Sequence, residues 1–156
     1  MIFELADWRI EVDVEATRQH TTENAADHCG CAYCRNYYET LQVVYPGLCT
    51  ALTRLGIDPM GPSELMPFTP TLFLACYRIQ GTILQWGKRE LAADGIPIVL
   101  EAADEDTFFL WAGEMELPWV QQEPSDAVSS PANLPGFLER MQEIWQLRHG
   151  REHVCS

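Results

Sequence analysis

Leu72-Phe73-Leu74-Ala75-Cys76-Tyr77-Arg78-Ile79-Gln80-Gly81-Thr82-Ile83-Leu84-Gln85-Trp86 is the stretch on which the fold turns. It is dense in the β-branched, aromatic and aliphatic residues that suit a pleated, half-buried surface. Residues 72–79 and 82–86 read as two β-prone runs flanking Gln80-Gly81, a spacing that predicts a hairpin. Two further runs follow at 96–101 and 107–117, the second rich in aromatics with Phe108, Phe109 and Trp111. Between them Glu101, Asp104, Glu105 and Asp106 suit a hairpin turn, since they lack the ligand spacing and central glycine of a calcium loop.

Working towards the N-terminus, residues 58–70 carry Asp58-Pro59-Met60-Gly61-Pro62, Pro67 and Pro70, and read as an irregular connection. Residues 8–15 alternate strictly, with Trp8, Ile10, Val12 and Val14 on one face and Arg9, Glu11, Asp13 and Glu15 on the other, which predicts a half-buried strand. Its polar face sets Glu11, Asp13 and Glu15 in a row that either holds a cation or, as the blander alternative, keeps an edge solvated. Residues 17–28 are polar and without period, and read as a loop that delivers the chain to a cysteine cluster.

Tyr37, Leu41, Val44, Leu48, Leu52 and Leu55 draw one apolar stripe along a helix over about 35–55, closed by Gly56. Pro46 lies inside it, so the helix is expected to kink or to split in two, with Pro46 opening the second part. Residues 121–132, with Pro124 and Pro131, read as a surface linker. A C-terminal helix over about 133–149 then buries Leu134, Phe137, Leu138, Met141, Ile144 and Trp145, starts at Asn133 and Pro135, and ends in basic residues and Gly150. Residues 151–156 are expected to fray. The whole of 1–156 is thus read as one α+β domain: a mostly antiparallel sheet of four or five strands packed by the kinked helix and the C-terminal helix.

At 156 residues, 47% apolar and 21% charged, the chain is long enough to bury a core without disulfides. Its 23 acidic against 10 basic residues give a formal charge of −13, a field that repels phosphate backbones and anionic membrane surfaces. Nucleic acid and membrane are therefore disfavoured as partners, and a protein partner is the open class. The N-terminus has no basic, apolar signal pattern, and no segment approaches the apolar length of a membrane span, so a cytoplasmic location is expected.

In a reducing compartment six cysteines point to metal or redox chemistry rather than to a disulfide framework. Three of them fall in His28-Cys29-Gly30-Cys31-Ala32-Tyr33-Cys34, just before the first helix. One reading is a structural zinc, with Cys29, Cys31 and Cys34 joined by His28 or His20 in a tetrahedral set. A second is thiol–disulfide exchange by Cys31 and Cys34, because a helix start favours thiolate. Thr69-Pro70-Thr71-Leu72 has some likeness to the proline-led strand of thioredoxin-like folds, but the cysteines are approached by a polar loop instead of a buried strand. In the third reading the cysteines only pack, as Cys49 and Cys76 are expected to do.

His149 and His153 fall near the end of the chain and are expected to be exposed. No phosphate-binding glycine loop, nucleophile elbow or paired-histidine protease motif occurs, so no catalytic constellation is identified. In Leu117-Pro118-Trp119-Val120, Trp119 is either core packing or an anchor for a partner.

The stretch Cys29 to Tyr37, together with Leu55-Gly56-Ile57-Asp58-Pro59, Tyr77-Arg78-Ile79-Gln80-Gly81 and Leu117-Pro118-Trp119-Val120, resembles a group of small uncharacterised bacterial proteins with a Cys-x-Cys-x-x-Cys-x-Asn motif. The resemblance covers about residues 29–124. It implies a bacterial cytoplasmic origin and a shared fold, and brings no established activity or functional residue. The leading expectation is a soluble binding or interaction domain with room for a structural zinc, and the alternative is a thiol–disulfide oxidoreductase.

Overall fold

A computed structural model describes residues 1–27 and 30–122. Among them the chain order is β1 (Ile2–Leu5), β2 (Trp8–Val12), α1 (Val14–Ala26), α2 (Ala32–Val44), α3 (Pro46–Arg54), β3 (Glu64–Thr69), β4 (Leu72–Gln85), β5 (Leu91–Ala93), β6 (Ile96–Asp104) and β7 (Thr107–Glu116). The class is α+β, and every strand pair is antiparallel. The sheet has seven strands in the order β1-β2-β4-β7-β6-β5, with β3 beside β4. The four or five expected from the sequence was too few. The expected C-terminal helix (133–149), the tail (151–156) and all but the first two residues of the 121–132 linker lie outside the described residues.

The main correction concerns the opening stretch: no hairpin forms at Gln80-Gly81, and β4 runs through both residues as a 14-residue strand. A Cβ on Gly81 would stand 2.0 Å from the Glu11 carbonyl oxygen, so glycine is required there for the close approach of β2 and not for a turn. The long strand is the spine of the sheet. β7 pairs along one side of it, while β3 and β2 share the other, β3 along its first half and β2 along its second.

Three shorter strands were missed for separate reasons. Pro67 made 58–70 look irregular, yet β3 pairs with β4 alone, and a strand paired on one side tolerates the missing donor. β5 and β6 are joined through Asp94 (φ 53°) and Gly95 (φ 75°), a two-residue turn with both residues left-handed. β1 reaches β2 through Ala6 and Asp7, and Asp7 accepts the backbone N–H groups of Lys88 and Arg89, which holds its carboxyl below the usual range. The acidic turn was read correctly at Glu105 and Asp106, whereas Glu101 is buried within β6.

Residues 13–26 were also misread. Asp13 caps α1 by accepting Ala16 N–H at 3.0 Å, and Glu15 pairs with Arg18 in the first turn, so the expected row of Glu11, Asp13 and Glu15 along one strand does not exist. The helix replaces the expected loop as far as Ala26, and His28 lies outside the described residues. Its buried face is Thr17 and Thr21, which dock by hydrogen bonds: Gln80 N–H donates to Thr17 Oγ1 and Asp58 N–H to Thr21 Oγ1. A helix seated through hydroxyls has no apolar period to read.

The 35–55 stripe resolves into α2 and α3, with Pro46 at the start of α3 as one of the two expected outcomes. α3 ends in a Schellman motif, Gly56 N–H to Thr53 O and Ile57 N–H to Leu52 O, with Ile57 and Leu52 both buried. Asp94 of the β5–β6 turn accepts Leu48 N–H at 2.8 Å and fixes the start of α3 against the sheet.

Alternation along the strands divides the apolar residues in two. Phe73, Ala75, Tyr77 and Ile79 of β4 join Phe108, Leu110 and Ala112 of β7 and the helical Tyr37, Leu41, Leu48 and Leu52 in the main core. Leu74 and Cys76 join Met66, Phe68 and Trp111 in a smaller cluster on the opposite face. Each fully buried large side chain contributes about 1.5–3 kcal/mol, so the main core dominates stability.

Candidate functional site

The cysteine motif occupies the first turn of α2. Gly30 adopts a left-handed φ of 74°, which turns the chain so that Cys31 becomes the N-cap residue. Cys31 Sγ accepts the backbone N–H of Cys34 at 3.4 Å, the role usually filled by a serine or aspartate oxygen. Cys31 is half-buried and Cys34 is buried within the main core. Cys29 and His28 lie outside the described residues. His20 sits on α1, where its Nε2 is 3.4 Å from Asn24 Nδ2. Among the described residues no group of three or more histidine, cysteine, aspartate or glutamate side chains converges as a metal site.

The same turn is tied to the segment that leaves β7. Asn36, fully buried, donates to Pro118 O at 3.0 Å and accepts Val120 N–H at 2.8 Å, so one amide satisfies two backbone groups of the opposing chain. Arg35 links both sides, its Nη1 donating to Gly30 O at 2.6 Å and its Nε to Gln121 Oε1 at 3.3 Å. Gln121 in turn donates to Glu39. Trp119 is half-buried and meets Tyr33 edge-on, with ring centroids 5.9 Å apart. Val120 beside it is 51% exposed. Cys31 to Tyr37 and Leu117 to Val120, two of the stretches singled out in the sequence, therefore form one joint.

Asn36 stood in the sequence as the last residue of the Cys-x-Cys-x-x-Cys-x-Asn motif, with no function of its own. The apolar stripe could not have found it, because Asn36 lies about 100° around the helix from Tyr37, and its burial comes from the segment packed beside that flank.

Two phenols and two thiols of the core are held neutral. Tyr37 Oη and Tyr77 Oη are 2.5 Å apart, and Tyr77 donates to Pro59 O at 2.6 Å; burial raises both phenols well above their ordinary range. Burial, with Asp94 nearby, pushes the Cys49 thiol up to about 11. Cys76 is raised by burial and by the carboxylates of Glu64 and Glu101.

Comparison of the chain with family models, with curated proteins and with solved structures finds no match. No described helix is long and apolar enough to cross a membrane.

Proposed function

We propose that the chain is a non-catalytic binding module of the cytoplasm, with a structural zinc held by Cys29, Cys31, Cys34 and His28. The observation that carries this reading is the joint at the start of α2. Cys31 and Cys34 stand on a turn that Asn36 and Arg35 already fasten to residues 118–121, and a four-ligand zinc would complete that fastening. Four protein ligands leave no position for substrate, so the metal would be structural. Catalysis is further disfavoured because burial keeps Tyr37, Tyr77, Cys49 and Cys76 neutral, leaving none of these four poised to move a proton near neutral pH. The charge of −13 argues against nucleic acid, and Trp119 with exposed Val120 offers a protein partner an anchor next to the joint.

A second reading, thiol–disulfide exchange, is favoured by one feature: of two cysteines spaced for exchange, Cys31 is half-buried and Cys34 buried, so only one is open to attack. Metal analysis of purified protein with a thiol count separates the two. About one equivalent of zinc is expected, lost in Cys31→Ser and kept in Cys76→Ser. Protein without zinc, in which Cys31 and Cys34 cycle reversibly between dithiol and disulfide, would replace the first reading by the second. Protein with neither property would leave the cysteines as packing alone.

A further inference from the structure

The sheet does not close on itself. The strands at the two ends of its order, β1 and β5, line a cleft of 280 Å³ together with α3. Leu5 of β1, Leu52 and Leu55 of α3 and Leu91 of β5 line it, and buried Leu110 of β7 is at its floor. Glu4 and Arg54 also line it, both exposed. Among the described residues neither makes an ion pair or a side-chain hydrogen bond. A volume of this size lined by leucines is a place for a guest.

We infer that this cleft binds a medium-chain carboxylate, its hydrocarbon tail among the leucines and its head on Arg54. The volume sets the tail. A cavity of about 150 Å³ accommodates benzene, so this one holds a chain of roughly ten carbons. The lining sets the chemistry of the tail, since every side chain of the cleft other than Glu4 and Arg54 is apolar and favours a hydrocarbon. The head is set by charge complementarity. Arg54 offers a planar fork that matches a carboxylate in two parallel bonds, and it stands exposed at the mouth of the apolar cleft. Glu4 on the same rim opposes the carboxylate, which makes its effect a second, opposite test.

This inference rests on the binding-module reading and names its ligand. Titration calorimetry of the full chain with decanoate, decanol and decylamine tests it. Decanoate is expected to bind tightest of the three. Arg54→Gln is expected to weaken decanoate about tenfold with decanol unchanged, and Glu4→Gln to strengthen decanoate. Ala51→Phe, which fills the cleft from α3, is expected to abolish binding of all three; should it fail to fold, the two surface variants decide alone. Decanoate that binds no better than decanol or decylamine, or that ignores Arg54→Gln, overturns the assignment. Native protein that binds decanoate but carries no zinc would remove the metal reading alone. Zinc without decanoate binding would remove the cleft assignment alone.

Discussion

At the start of α2 the contacts that locate the chain are directional: an amide bonded to two backbone groups, a guanidinium bridging Gly30 and Gln121, and a sulfur capping the helix. Beside α3 the same helical layer meets the sheet through leucines and stops short of filling the space. The first region fixes geometry and leaves little freedom, while the second is tolerant of what occupies it. A joint and a container therefore sit at opposite ends of one helix pair, and they should fail in different ways.

Asn36→Ala should show the largest effect. It removes two hydrogen bonds, to Pro118 O and from Val120 N–H, and the buried amide that makes them, and a loss of about 3 kcal/mol is expected from urea unfolding with an unchanged denaturant slope. Asn36→Asp keeps the acceptor for Val120 N–H but sets a buried carboxylate against Pro118 O, so at neutral pH it should lose about as much. Leu52→Ala at the container end should cost about 2 kcal/mol, the low end for a buried leucine, because the new void merges with a cleft already there. If Leu52→Ala cost more than Asn36→Ala, the contrast between the two regions would be lost.

Two smaller effects sharpen it. Thr21→Val, nearly isosteric, leaves Asp58 N–H without its acceptor and should cost about 1 kcal/mol, whereas a helix docked by apolar contact would gain from the change. Cys49 should react with a thiol reagent at pH 8 roughly ten- to a hundredfold slower than an ordinary cysteine, with the rate rising until about pH 11. The sign for stability follows. The folded-state value lies above the unfolded one, so the contribution of Cys49 is complete below about 8.5 and is lost as pH climbs towards 11. Cys49→Ala should flatten that alkaline decline in an unfolding series.

These regions also differ in how far the residues announced them. The α+β class, the α2–α3 break at Pro46 and the β6–β7 turn were legible, because apolar period, proline and acidic turn residues each act locally. α1 was not, since Thr17 and Thr21 bury hydroxyls and leave no stripe. β4 was cut in two because a glycine needed for a close approach has the same one-letter signature as a glycine needed for a turn. At the joint, the cysteines were visible as a motif, but the partner segment 82 residues further along for Asn36 was not, because that pairing is tertiary. The cleft left no trace at all: a volume is the absence of side chains, and its leucines read as ordinary core.

The claim on which the joint depends is that metal, and not packing alone, completes it. Thermal unfolding of the purified protein before and after stripping with a strong zinc chelator tests this most directly. A melting temperature lowered by roughly 10 °C or more and restored by added zinc is the expected result. An unchanged melting temperature, with no metal released to the chelator, would contradict it.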